Sequence, residues 1–304
     1  MASLGRVVDC GPGPAAPLRR GDVAPPGAEL SVDVSERIRA HFDQLGEGEW
    51  DRLDAHPRSR VSLEVHGRFL ADHVAAGDRV LEIGAGPGRF TIALAELGAR
   101  VVVTDVSEVQ LGLNRRHVAE AGAEPAVEAR HLLDVRDTGR FAAAEFDAVV
   151  AYGGPLSYVF EAAPEALAGL LRVGRVVVAS VMSTLGAWAF FLPQVVAQAA
   201  DIGVAADDAI FSTGDLRHEG RDSGHVCQMY RWREVEALVA AAGGEVVAAS
   251  ASNWASLGHD DTLEQLAADP AEWGRFLDHE VSACREPGLL DAGTHILFAA
   301  RRRP

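Results

Sequence analysis

Apolar residues recur along this chain in two alternating rhythms. Short continuous apolar runs predict buried strands over 79–84 (RVLEIG), 100–105 (RVVVTD), 126–133 (AVEARHLL), 146–152 (FDAVVAY) and 175–182 (RVVVASVM). Between them, apolar positions return at helical spacing over 89–98, 108–122 and 164–173, and Gly98 and Gly122 stop the first two helices. The same rhythm resumes later with a helix over 232–243, a strand over 245–251 and a last strand over 295–300. Strands separated by helices of this length imply parallel β-α-β units with right-handed crossovers. The pattern therefore predicts an α/β fold with seven strands, a mostly parallel sheet and helices on both faces.

Two stretches break the rhythm, at about 183–230 and 255–292. Both follow late strands, and in an open α/β sheet ligands bind at the carboxyl ends of the strands. Insertions leaving those ends are expected to be helical caps over a site. Before the first strand, Val34, Ile38 and Phe42 repeat every four residues, Gly46 and Gly48 interrupt, and Pro57 opens an amphipathic helix expected to run to Ala76-Gly77. Residues 1–30, rich in Gly, Pro and Ala, read as a disordered leader. The remainder, 31–304, reads as a single domain.

Composition narrows the function. Of 304 residues, 44 are acidic and 28 basic, a net charge of −16 that repels phosphate backbones and argues against a nucleic-acid partner. Cys10, Cys227 and Cys284 are odd in number and far apart. That spacing suits neither a disulfide framework nor a structural zinc site, and it favours a reducing cytoplasm. No apolar run is long enough for a membrane span.

The segment Glu82-Ile83-Gly84-Ala85-Gly86-Pro87-Gly88 lies between a predicted strand and a predicted helix. Glycines there permit a positive φ and let a ligand approach the backbone, while the following helix offers free N–H groups. A dinucleotide pattern G-x-G-x-x-G would need glycine where the chain has Arg89, which disfavours a nicotinamide-dependent oxidoreductase. Glu82 suits a ligand with an ammonium group better than a pyrophosphate, or else serves as a structural acid facing a helix. Asp105, ending the second strand, can accept from both hydroxyls of a ribose, or cap the turn before Ser107. Asp134, after the third strand, can take the amine of adenine, or simply close a turn.

The ordered set E-I-G-A-G-P-G, V-V-V-T-D and L-L-D-V resembles the cofactor motifs of class I, Rossmann-like S-adenosylmethionine-dependent methyltransferases, over roughly 60–182 and again over 232–300. The resemblance implies that Glu82, Gly84, Gly86 and Gly88 hold the methionine part of S-adenosylmethionine. It also implies that Asp105 binds the ribose, that Asp134 contacts adenine, that Val106 and Val135 beside them belong to the cofactor site, and that Tyr152 at the fourth strand end faces the transferable methyl. A seven-stranded sheet ending in a reversed hairpin is a further trait of that family.

The acceptor is less legible. The fourth strand runs into Tyr152-Gly153-Gly154-Pro155, with neither the D-P-P-Y of many amino methyltransferases nor the Pro-Cys of cytosine-C5 enzymes. This favours oxygen over nitrogen on a small-molecule or peptide-like acceptor. Nitrogen, a carboxylate, or a non-catalytic S-adenosylmethionine-binding protein remain as alternatives. The polar stretch around Arg217-His218 and His225-Val226-Cys227-Gln228-Met229-Tyr230-Arg231-Trp232 supplies the candidates. His225 is expected to be a general base facing Tyr152. His218, Tyr230, Arg231 and Trp232 are expected to contact the acceptor. Trp50 is a candidate lid residue. No metal is expected, because a site built on His218, His225 and Cys227 lacks a fourth ligand.

Overall fold

The computed structural model describes residues 30–217 and 225–303. The expected leader, up to residue 29, and His218 lie outside the described residues. Each predicted strand forms: β1 (Arg79–Ile83), β2 (Arg100–Asp105), β3 (Val127–Leu132), β4 (Phe146–Ala151), β5 (Gly174–Met182), β6 (Gly244–Ala251) and β7 (His295–Arg302). They make one sheet in the order β3-β2-β1-β4-β5-β7-β6, in which β7 alone runs against its neighbours. Val101, Val103, Val149, Val177 and Val178 are wholly buried because helices cover both faces, and this explains why these strands read as continuous apolar runs. This is the class I methyltransferase fold.

The helices in chain order are α1 (Leu30–Leu45), α2 (Gly48–Arg52), α3 (Pro57–Ala71), α4 (Arg89–Glu96), α5 (Glu108–Glu120), α6 (Ala163–Val173), α7 (Thr184–Phe190), α8 (Leu192–Ile202), α9 (Val204–Thr213), α10 (Trp232–Ala241), α11 (Asp260–Ala267) and α12 (Pro270–Cys284). On one face of the sheet, Leu167 and Leu170 of α6 and Val235 and Val239 of α10 bury against Val149, Val177 and Phe298. On the other, Phe69 and Leu70 of α3 and Leu94 of α4 bury against Val80, Val101 and Val150. α3 stops at Ala71, short of the expected Ala76. Asp78 Oδ2 instead accepts the Ala75 amide at 2.8 Å, and Gly77 takes φ +89° to turn the chain into β1.

The described residues of the two insertions, expected as caps over the site, pack largely elsewhere, except that Val226, late in the first, buries against Ile38 of α1. The second packs beside α3: Leu263, Leu277 and Val281 bury against Val61 and Val65, and Arg58–Asp260 and Arg68–Asp278 ion pairs flank them. The first, α7 to α9, projects from the end of β5, and no residue of α8 is buried. Trp188 and Phe211 meet at 5.5 Å between ring centroids, and both are more than a third exposed. Among the described residues, no single helix is long and apolar enough to cross a membrane.

α7 is seated by a backbone-to-backbone contact. A Cβ on Gly186 would stand 1.8 Å from the carbonyl oxygen of Gly293, which has no rotamer through which to yield. Gly186→Ala is therefore expected to destabilise the protein by about 1–3 kcal/mol, as overpacking generally does. A urea-melt midpoint equal to that of the wild type would refute the rigidity of this contact.

Candidate functional site

Between β1 and β4 the sheet order reverses, with β2 and β3 on one side and β5 on the other. Carboxyl strand ends at such a switch point open a crevice, and the cavity is found there. Its floor is Ile83, Gly84 and Gly86 after β1, Asp105 and Val106 after β2, Leu133 to Arg136 after β3, and Tyr152, Gly153 and Pro155 after β4. Its roof is Ser35, Ile38, Phe42 and Glu49 from α1 and α2, and one wall carries Gln110, Tyr158 and Val159.

The glycines divide the work. Gly84 takes φ +65°, and a Cβ there would reach within 2.7 Å of Pro155 Cγ, so the β1 and β4 loops close on each other only through glycine. Gly86 takes φ +51° with nothing within 4 Å of its missing Cβ, so its bare side opens to the cavity. Gly88 does not line the cavity. It precedes α4 at φ +105°, where a Cβ would meet Asn114 and Val118 at 3.1 Å, so its task is close packing of α4 on α5.

Asp105 joins these parts. Its Oδ2 accepts the Gly86 amide at 2.8 Å and its Oδ1 the Ser107 amide at 2.8 Å. Ser107 in turn caps α5 through the Gln110 amide at 3.0 Å. Each carboxylate oxygen keeps a further lone pair for a ligand hydroxyl. Burial raises the Asp105 carboxyl to about 6, against the pull of these amides. Asp134 lines the far end, bound by the Arg136 guanidinium at 2.6 Å, which holds its carboxyl below the usual value despite burial. Val106, Leu133 and Val135 make that end apolar around the acid.

Glu82 departs from expectation. Strand alternation turns its side chain away from the cavity, toward α4 and α5. Thr91 Oγ1 donates to its Oε2 at 2.6 Å, Asn114 Nδ2 donates to Thr91 at 2.9 Å, and Arg130 Nε donates to Asn114 at 2.9 Å. Glu82 Oε1 is buried without a partner, and burial pushes the carboxyl up to about 8. The structural reading of this acid replaces the ammonium-binding one.

The roof is latched from outside. Trp50 lies between the Arg89 guanidinium, 3.7 Å above its ring, and His117, 3.9 Å away by ring centroids. Glu47 takes His117 Nε2 at 2.8 Å and also pairs with Arg116. Asp43 accepts from Ser107 Oγ, and Gln110 Nε2 donates to the Phe42 carbonyl at 2.9 Å. Trp50 is thus a clasp on the outside of the roof, and Arg89 is its counterpart.

The acceptor candidates scatter. Tyr152 lines the cavity, its ring enclosed by His66 and Phe90 at 4.9 Å each and its hydroxyl donating to the His66 carbonyl at 3.3 Å. His225 faces Tyr158 (5.8 Å between centroids) and His41 (5.3 Å) rather than Tyr152. Tyr230, Arg231 and Trp232 do not line the cavity. Tyr230 is core and exchanges backbone bonds with Met182 and Thr184. Arg231 Nη2 donates to the Phe211 carbonyl at 2.7 Å, tying α10 to α9. The Trp232 amide donates to Asp291 at 2.8 Å, and its ring packs on the core. Arg217 is held by Asp215 and Glu161 over the Phe160 ring.

Sequence reasoning passed over Glu49, Phe42, Tyr158, His66 and His295. Burial lowers His66 to about 4 and His295 to about 3, so both rings are neutral at neutral pH. His66 Nδ1 donates to the Ser62 carbonyl at 2.8 Å, leaving Nε2 as the accepting nitrogen. Only the amphipathic spacing of α3 hinted that His66 lay on a buried face.

Residues 80–175 match the family model described as "Methyltransferase domain". A ubiquinone biosynthesis O-methyltransferase of Nitrosococcus oceani is 32% identical over 101 residues, 32% of this chain and 41% of the relative. A demethylmenaquinone methyltransferase of Clavibacter sepedonicus is 40% identical over 100 residues, 30% of this chain and 38% of the relative. The matched stretch spans less than half the length of these curated relatives. Among solved structures, the 1,6-didemethyltoxoflavin-N1-methyltransferase of Burkholderia thailandensis superposes with a TM-score of 0.55 at 15% identity, covering 93% of this chain and 94% of its own. The magnesium protoporphyrin IX methyltransferase of Synechocystis PCC 6803 gives 0.55 at 14% identity, covering 89% and 100%. These likenesses show the fold.

The raised carboxyl of Glu82 has a measurable cost. Its folded value near 8 exceeds its ordinary 4.5, so between those limits the folded state holds more protons than the unfolded one and stability falls as pH rises. Glu82→Gln removes that dependence. The variant should gain stability relative to the wild type from about pH 4.5 to about pH 8 and hold a constant margin above. Parallel pH dependences in urea melts would contradict the buried, protonated carboxyl.

Proposed function

We propose that this chain, whose residues 80–175 are a methyltransferase domain of the class I type, is an S-adenosylmethionine-dependent enzyme that methylates a small-molecule or peptide-like acceptor, at oxygen. The observation that carries the reading is the cavity at the switch point. It combines a ribose-accepting carboxylate, Asp105, a glycine with a bare side, Gly86, and an apolar slot beside Asp134. These residues fit S-adenosylmethionine: Asp105 takes the ribose hydroxyls, Val106, Leu133 and Val135 enclose adenine, Asp134 meets its amine, and Gly84 and Gly86 border the methionine part. When bound, the cofactor supplies an electrophilic methyl: the acceptor oxygen forms the C–O bond as the S–C bond breaks with its electron pair left on sulfur.

The chain's own contribution is mainly proximity and alignment, which can be worth about 7–11 kcal/mol. Tyr152, Gly153 and Pro155 present neither an acid nor an amide at the β4 end, which supports oxygen over nitrogen. Phe42, Tyr152 and Tyr158 give the cavity flat aromatic walls. The names of the two curated relatives, an O-methyltransferase of ubiquinone biosynthesis and a demethylmenaquinone methyltransferase, support a small-molecule acceptor. His225, against Tyr158, is the candidate base that takes the acceptor proton. A net charge of −16 speaks against nucleic acid, and the scattered cysteines favour the cytoplasm.

Three measurements bear on this. Asp105→Ala should weaken S-adenosylmethionine binding by about 1.5–3 kcal/mol in calorimetry, the range for bonds to a charged group; unchanged affinity would remove Asp105 from the site. With a panel of hydroxylated aromatic acceptors, the wild type should release S-adenosylhomocysteine, whereas a purely cofactor-binding protein would not. On any acceptor turned over, His225→Ala should lower kcat about 10²–10⁴-fold with cofactor affinity retained. Undiminished turnover would point to an acceptor already ionised.

A further inference from the structure

The charge on the cavity wall is uneven. Glu49, Asp105 and Asp134 line it, and against them stands one guanidinium, Arg136, which is committed to Asp134 through two hydrogen bonds and to Ser35 Oγ through a third. Asp105 spends one lone pair of each oxygen on the Gly86 and Ser107 amides. Glu49 is different in kind, because it comes from the roof. Its side chain is only 13% exposed, and its carboxylate takes Arg52 Nε at 2.9 Å and Nη2 at 2.6 Å one turn further along α2. The Arg52 side chain is 52% exposed, whereas Glu49 lines the cavity. Glu49 lines the cavity together with Asp105, at the end of β2, and Tyr158, in the segment after β4.

Glu49 is also joined to the clasp. Trp50, its neighbour in the chain, is the residue gripped between Arg89 and His117. Anything that draws the Glu49 carboxylate downward favours the latched roof, and anything that leaves it uncompensated beside Asp105 opposes it. S-adenosylmethionine carries a sulfonium charge that its demethylated product, a neutral thioether, lacks. We propose that Glu49 is a charge-reading residue of the roof, which holds α1 and α2 closed over the cationic cofactor and lets them release S-adenosylhomocysteine. This rests on the methyltransferase reading above and adds to it a basis for product release. Half-buried charges near a cavity act in a lower effective dielectric than surface pairs, so loss of one should be read clearly in affinity.

The test needs no acceptor. Calorimetry on the full chain compares S-adenosylmethionine, sinefungin (an unreactive analogue with an ammonium in place of the sulfonium) and S-adenosylhomocysteine. The wild type should prefer the two cationic ligands. Glu49→Gln, which keeps the shape and a hydrogen-bonding oxygen, should cut that preference about five- to ten-fold while S-adenosylhomocysteine binds within about two-fold of its wild-type affinity. Arg52→Gln should increase the preference, since it strips the competing cation from Glu49. An unchanged preference in Glu49→Gln overturns the proposal, as does an equal loss for all three ligands. Arg52→Gln behaving like Glu49→Gln would also overturn it, because the pair would then serve only to shape α2. A wild type that binds none of the three overturns the methyltransferase reading itself, whereas binding with an unaltered preference leaves that reading standing.

Discussion

The hydrogen bond from the Gly86 amide to Asp105 Oδ2, 2.8 Å long, is the contact on which the site depends. It ties the loop after β1 to the end of β2, and the other oxygen of the same carboxylate ties β2 to the first turn of α5 through Ser107. A buried carboxylate accepting backbone amides is costly to desolvate and costly to lose, so the geometry of the crevice is fixed before any ligand arrives. The closeness of Gly84 to Pro155 extends the same constraint to the loop after β4. Three adjacent strand ends are thereby held at one spacing, and a cavity opens between them.

The roof follows from what that floor leaves over. Among the described residues of α1, Ile38 is buried, with Val34 and Phe42 half-buried beside it against Phe160 and Val226. Beyond that small cluster, polar and aromatic contacts hold α1 and α2: Trp50 on Arg89 and His117, Glu47 on His117 and Arg116, Asp43 on Ser107, and Gln110 on the Phe42 carbonyl. Such contacts are individually weak and reversible, which suits a cover that must admit and release a ligand. The late insertions have other partners. α11 and α12 extend the core beside α3, and α7 to α9 stand off the end of β5.

Two buried acids show how burial sorts residues of one chemical type. Glu82 and Asp105 are both raised by burial, yet Asp105 receives amides on both oxygens and sits at about 6, while Glu82 has one hydroxyl donor and sits at about 8. The former stays ionised at neutral pH and can hold a ligand. The latter is mostly protonated there and belongs to the packing of α4 and α5 on the sheet.

The order of apolar runs and glycines by itself determined the seven strands, their helices and the position of the cavity, because a parallel sheet buried on both faces writes its strands as unbroken valine-rich segments and its ligand loop as glycines at a strand end. That Gly84, Gly86, Asp105 and Asp134 stand at strand ends was legible for the same reason: local sequence sets what stands there. Only the tertiary structure decided which way each side chain turned and what came to lie above it. Strand alternation took Glu82 out of the cavity, helix packing claimed Gly88, and backbone carbonyls of α9 claimed Arg231. Glu49, from α2, and His66, against Tyr152, were brought to the site from distant parts of the chain by tertiary packing, and no pattern of neighbouring residues announces a meeting of that kind.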